Sequence, residues 1–159
     1  MLKDINALYS EKMTNMKKSV IRELLKLTQK PEVISFAGGL PSPKTFPVEQ
    51  IAEITKDVIM KEGKWALQYG ATEGIPKFKD EIIRFMEKDG MKAGHENILV
   101  TTASQQGLDL VGRVFIDEGS PIIMGRPTYV GAISAFRAYA ADFIRVEHDN
   151  EGIRTDKLR

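Results

Sequence analysis

The sequence predicts an α/β protein organised on a largely parallel sheet with helices over both faces. The first observation is an alternation. From residue 97 onward "NILVTTA" reads as a strand, "SQQGLDLVGRVFIDEG" as a helix ended by Gly119, "PIIMG" as a strand, "TYVGAISAFRAYA" as a helix and "DFIRVEHD" as a strand. Strands separated by helices of roughly 10 to 15 residues signal crossover connections and a sheet covered on both sides. The second is composition: 159 residues, 42% apolar and 28% charged, suffice for a sizeable core. No internal repeat or low-complexity segment breaks the pattern.

Ahead of this region, "TNMKKSVIRELLKLTQ" (14–29) carries Val20, Ile21, Leu24, Leu25 and Leu27 at helical spacing. Thr14 or Asn15 is available as a cap and Pro31 ends the run. "VISFAGGLPSPKTFP" predicts a short strand and then a shaped loop, because its glycines and prolines punctuate any regular element. A helix is expected from Val48 to Lys61 with Ile51, Ile54, Val58 and Ile59 inward. Another is expected from Ile75 to Lys88 with Phe78, Ile82, Ile83, Phe85 and Met86 buried. At the far end "DNEGIRTDKLR" makes a turn, and Thr155 and Asp156 suit a helix start with only three residues after them. Three central strands are few for this architecture, so the chain reads as part of something longer.

Charge and cysteine content exclude several classes. Lys plus Arg number 23 and Asp plus Glu 22, so no net field favours nucleic acid or an anionic membrane. The basic cluster at Lys17 and Lys18 is too short for a nucleic-acid arm. With no cysteine there are no disulfides, thiolate metal sites or thiol nucleophiles. "MLKDINALYS" lacks the apolar core of a signal peptide, and no run approaches the roughly 20 apolar residues of a membrane span. A cytoplasmic protein is expected. His95 and His148 sit in polar loop contexts without a partner at metal-ligand spacing, and no metal site is predicted. Glu73 and the Asp80/Glu81 pair read as solvated.

Among candidate sites, the turn "TTASQQG" comes first. A strand feeding a helix N-terminus leaves backbone N–H groups pointing together, and with the helix dipole they suit a phosphate. Ser104 adds a hydroxyl, Gln105 an amide, and Gly107 room for close packing. The ordinary alternative is that Ser104 only caps the helix, and neither a G-x-G-x-x-G nor a G-x-x-x-x-G-K-[ST] pattern is present. Tyr129 in "RPTYVGA" follows the next strand, so it falls at the same carboxyl edge, where open parallel sheets bind ligands. It suits stacking on a flat heteroaromatic ring, or simply a half-buried helix start. "WALQYG" reads as a packed aromatic connector, and Gly38, Gly39 and Pro41 either as backbone presented to a ligand or simply as a turn.

Taken in order, "ISFAGGLPSPKTFP", "ALQYGATEGIPKFKDEI", "ILVTTASQQGLDLVGRVFIDEG" and "RPTYVGAISAF" resemble the pyridoxal-phosphate aminotransferases of fold type I. The likeness is nearest to the branch that includes 2-aminoadipate and kynurenine aminotransferases, and it runs from about Lys18 onward. It implies an incomplete three-layer α/β/α large domain preceded by an N-terminal helical arm. Residues 1–45 would be the arm and a small-domain segment, and 46–159 the first part of the cofactor-binding domain. Pyridoxal 5'-phosphate is the implied cofactor, with Ser104 and Gln105 on its phosphate and Tyr129 stacked on its ring. Tyr69 would reach the phosphate in the neighbouring subunit of a homodimer. Gly39 would lie over the substrate, and Arg22 on a mobile helix would help define the pocket for amino-acid and 2-oxo-acid substrates, excluding water as it closes.

The resemblance also implies a Schiff-base lysine, a carboxylate for the pyridinium nitrogen and an arginine for the substrate carboxylate. All three are expected downstream of this chain. None of its lysines, including Lys44, Lys77, Lys79 and Lys157, has the family's lysine context, so no catalytic residue is assigned. Ala103 stands where the family often has glycine, which is acceptable if φ there stays negative. Gly125 replaces a common glutamate before "RPTY", removing a carboxylate near the site, and Ser120 replaces a common turn aspartate. Two rival readings are a cofactor-sensing domain of a transcriptional regulator and a self-sufficient phosphate-binding domain. No basic DNA-reading helix precedes the matched region, and the sheet expected here has bare edges.

Overall fold

The computed structural model describes residues 4–10, 13, 32–34, 36 and 39–158. The helix predicted over 14–29, Arg22 within it, and Gly38 lie outside the described residues. The chain divides into two compact units, Leu24–Val100 and Met1–Glu23 with Thr101–Arg159.

In the first unit, a short 3-10 turn at Pro43–Thr45 precedes helix α1 (Val48–Ala66). Helix α1 runs five residues past the predicted end, because nothing from Glu62 to Ala66 is a strong breaker except Gly63, which a helix tolerates. Helix α2 (Pro76–Glu87) begins with proline at its first position, where the missing N–H costs no helical bond. The burial expected of these helices is not found. Ile51, Ile54, Val58 and Ile59 are all exposed, as are Phe78 and Phe85, while Ile82, Ile83 and Met86 are half-buried. Periodicity names the apolar face of a helix, but burial needs a second layer against it. The connector "WALQYG" is likewise not packed: Trp65 ends α1 half exposed, and Leu67 and Tyr69 stand in solvent.

Polar contacts close this unit instead. Lys79, the buried residue of α2, donates from Nζ to the His95 carbonyl at 3.2 Å, and His95 Nε2 meets Asp80 Oδ1 at 2.7 Å. The 3-10 turn His95–Asn97 is thereby clamped to one side of α2. Asp80 and Glu81 stay solvated as expected, with side chains 49% and 62% exposed, Asp80 hydrogen-bonded to His95 and Glu81 paired with Arg84 at 2.7 Å. "NILVTTA" forms no strand. Ile98 is extended and the Val100 N–H donates to the Glu73 carbonyl at 3.1 Å, but among the described residues no neighbouring strand supplies a ladder. Strand propensity without a partner does not make a strand.

The second unit holds the sheet. Helix α3 (Ala103–Phe115) leads to strand β1 (Pro121–Arg126), helix α4 (Val130–Arg137) and strand β2 (Asp142–Asp149). β1 and β2 are parallel in register Pro121↔Asp142 through Arg126↔Glu147, with α4 as the crossover between them, as predicted. A short β3 (Gly152–Ile153) folds back antiparallel on β2 across the Asn150–Glu151 turn, giving the order β1-β2-β3. Met124, Val146 and Ala135 are the buried apolar residues, and since Val146 pairs with Gly125, Met124 and Val146 are buried on opposite faces of the strand pair. Helices α3 and α4 meet at Gly112, where a Cβ would come 2.7 Å from the Tyr139 ring. The Tyr139 hydroxyl donates to Asp109 Oδ1 at 2.9 Å, which explains a glycine in mid-helix. The cover on the sheet is partial: Gly125 and Val146 are buried on the same face as two exposed isoleucines. Ile123 and Ile144, register partners on one face, are 55% and 44% exposed. α3 stops at Phe115 rather than Gly119, since Ile116 is already extended and Gly119 turns with φ +77°.

Candidate functional site

The start of α3 is built by accounting for its donors. The first four N–H groups of a helix, from the N-cap onward, lack intrahelical acceptors. The N-cap here is Thr102, not Ser104, and no side chain caps from that position. The Thr102 N–H is taken by Gln106 Oε1, reaching back from the first turn. The Ala103 N–H donates to the Thr101 carbonyl at 3.0 Å, and Thr101 Oγ1 in turn donates to the Ala103 carbonyl at 3.1 Å. The remaining two donors belong to Ser104 and Gln105, and neither has an acceptor among the described residues. The Ser104 side chain is exposed and makes no hydrogen bond among them either. Two adjacent N–H groups and a hydroxyl at the positive end of a helix dipole form an anion-binding arrangement.

The turn that aims them is strained. Ala103 has φ +59°, in the left-handed region, so the condition under which alanine was acceptable there is not met. A Cβ in that region costs about 1–2 kcal/mol, and a glycine would carry none of it. Gly107 packs less closely than expected, since a Cβ there would meet only Thr101 Oγ1 at an ordinary 3.9 Å.

Tyr129 is the N-cap of α4, immediately beyond the carboxyl end of β1 and the cis Arg126–Pro127 peptide. It is 60% exposed at the helix start. Its ring lies across Gly131. The side-chain amide of Gln105 donates to the Gly131 carbonyl at 3.4 Å. Ser104, Gln105 and Tyr129 are therefore brought together at one end of the unit, with Gly131 joining the helix starts. Sequence reasoning did not single out Gly131. The signal was present as a glycine two residues after the tyrosine in "TYVG".

The space left by Gly125 is filled. A Cβ on this buried β1 residue would coincide with the imidazole of His148, which belongs to β2 rather than to a polar loop. Because Gly125 pairs with Val146, His148 lies two residues on and on the same face. The lost carboxylate thus leaves a histidine over the strand end, not a gap.

In the other unit, Tyr69 is wholly exposed, and its N–H donates to the Gln68 side chain at 2.8 Å. Gly39 is exposed in the left-handed region at φ +56°, with open space where a Cβ would stand. An open cleft of about 920 Å³ runs along the last turns of α1 and the start of α2, lined by Ile59, Met60, Trp65 and Ile75. It includes none of the predicted site residues. Among the described residues no cluster of His, Asp or Glu suits a metal, and no helix is long and apolar enough to cross a membrane.

Residues 31–159 match the family described as Aminotransferase class I and II. The chain is 46% identical over 156 residues to aromatic-amino-acid aminotransferase 1 of Thermococcus litoralis, covering 98% of this chain and 37% of that protein. A solved kynurenine aminotransferase from Pyrococcus horikoshii, in complex with PMP, matches with TM-score 0.88 at 39% identity. That match covers 99% of this chain and 39% of the other. The α-aminoadipate aminotransferase of Thermus thermophilus, complexed with N-(5'-phosphopyridoxyl)-L-leucine, matches with TM-score 0.84 at 40% identity, covering 98% and 37%. The chain thus spans 37–39% of the length of these relatives. On the extent of the family match and the identity to these relatives, the chain belongs to the class I and II aminotransferases.

Proposed function

We propose that this chain forms the phosphate end of the cofactor site in a pyridoxal 5'-phosphate-dependent aminotransferase, which exchanges an amino group between an amino acid and a 2-oxo acid. The observation that carries the reading is the donor accounting at α3, which leaves the N–H groups of Ser104 and Gln105 without acceptors beside an exposed Tyr129. A phosphate monoester fits that set in charge and in donor number. Ser104 and Gln105 hold the phosphate, and Tyr129 offers a flat face to the ring. Bound there, pyridoxal phosphate supplies an electron sink for bond breaking at the amino acid's α-carbon. Tyr69 extends to the phosphate in a partner subunit, Gly39 and Arg22 border the substrate, and the whole is a cytoplasmic homodimer. In this reading residues 1–45 are the arm and small-domain segment, and 46–159 begin the large domain. The covalent lysine is not assigned within this chain.

The test is spectroscopic. The full-length gene product, purified with pyridoxal phosphate, is expected to be yellow and to lose that absorbance when an amino donor is added. Ser104→Ala combined with Tyr129→Ala should weaken cofactor retention without unfolding the protein. A protein that binds no pyridoxal phosphate would refute the reading. One that binds it but never turns over any amino donor would favour the cofactor-sensing alternative.

A further inference from the structure

We propose that Gly131 is a positioning residue of the cofactor site, seating both the Tyr129 ring and the Gln105 side chain. This rests on the aminotransferase reading above. Two independent contacts converge on the residue. The Tyr129 ring folds across it so closely that a Cβ would stand 2.5 Å from Cζ and 2.7 Å from the phenolic oxygen. Its carbonyl accepts the hydrogen bond from Gln105 Nε2 at 3.4 Å.

Backbone freedom is not the reason for glycine here. Gly131 is the second residue of α4, and it is not among the glycines with positive φ. Alanine is favoured over glycine in such a position. What glycine provides is space: any side chain at 131 would push the Tyr129 ring off the first turn of α4 and change where its face points. Gln105 belongs to the first turn of α3, whose free N–H groups face the phosphate. The stacking ring and the phosphate donors therefore share one reference, the Gly131 peptide.

The experiment is a double-mutant cycle in the full-length gene product, using Gly131→Ala, Tyr129→Ala and the pair. Pyridoxal phosphate affinity is read by absorbance titration, and the thermal midpoint is read without cofactor. With the ring present, Gly131→Ala should weaken cofactor binding about tenfold. In the Tyr129→Ala background the loss should fall below about twofold. The cofactor-free midpoint should drop with Gly131→Ala when the ring is present. It should rise when the ring is absent, because alanine's helical preference then acts unopposed. If Gly131→Ala alone fails to fold, recovery of folding in the double variant supports the seat, and failure to recover overturns it. Equal effects in both backgrounds also overturn it. A wild-type protein that binds no pyridoxal phosphate refutes the aminotransferase reading, while the cofactor-free midpoints still decide whether Tyr129 sits on Gly131.

Discussion

The unit of α3, β1, α4 and β2 and the unit of α1 and α2 use apolar residues in opposite ways. In the first, Met124, Val146 and Ala135 are enclosed, and Gly112 lets two helices meet over Tyr139. In the second, the equally regular stripe Ile51, Ile54 and Val58 faces solvent, and the unit is held by Lys79, His95 and Asp80. The difference lies in what each element packs against. The strand pair buries Met124 on one face and Val146 on the other, whereas two helices and a connector expose whatever they do not turn toward each other. The site follows the same division: its donors are aimed where the backbone is overdetermined by the sheet and the helix contact.

The largest expected effect separates the two regions directly. In the 159-residue chain, Val146→Ala should cost about 2 kcal/mol in chemical denaturation, through lost burial and a cavity. Ile54→Ala should stay within about 0.5 kcal/mol. A cost for Ile54→Ala as large as that for Val146→Ala would mean that the α1 stripe is covered in solution, and the contrast would collapse. Next, Lys79→Met should cost about 1.5 kcal/mol by leaving the His95 carbonyl without its charged donor. Loss of amide-exchange protection at Asn97 and Ile98 would localise the damage to the clamped turn.

A smaller change of opposite sign is expected at the strained start of α3. Ala103→Gly should stabilise by about 0.5–1 kcal/mol, the relieved left-handed strain exceeding the added freedom of the unfolded chain. Destabilisation on the same measurement would show that Ala103 is not strained. The smallest effect concerns the end of β3. The Arg154 guanidinium donates to Asp156 at 2.6 Å and 3.2 Å, and this hydrogen bonding holds the carboxyl below its ordinary 3.8. A depressed folded value means the pair's stabilisation is present above pH 3.8 and is lost as pH falls through the folded value. Both groups are exposed, so salt should screen it. Acid titrations of Asp156→Asn should lack this component and match wild type at neutral pH apart from the lost pair. An unchanged acid limb would remove the pair from the account.

Much of the sheet-bearing unit was legible. β1 and β2 fall where "PIIMG" and "DFIRVEHD" predict, because β-branched runs bounded by turns leave few alternatives. Ser104 and Gln105 could be named as first-turn donors from helix geometry, while the phosphate role proposed for them rests on the resemblance of the surrounding blocks. Less legible was everything that depends on a neighbour. Ala103 was judged acceptable on the premise of a negative φ, and the turn from Thr101 imposes the opposite sign. Gly125 looked like a lost carboxylate until β2 brought His148 over it from beyond the crossover helix.

The sequence by itself determined the family, most of the elements, the parallel crossover and the residues able to offer donors to a phosphate. These rest on local chemistry: periodicity, turn residues, and the unpaired N–H groups that every helix start possesses. The tertiary structure alone decided which apolar faces were covered, that "ILV" before the turn would pair with no strand among the described residues, and that Tyr129 would rest on Gly131. Those outcomes depend on how the chain is arranged in space around each residue. A side chain's chemistry specifies what it can contact, and only packing specifies what is there to be contacted.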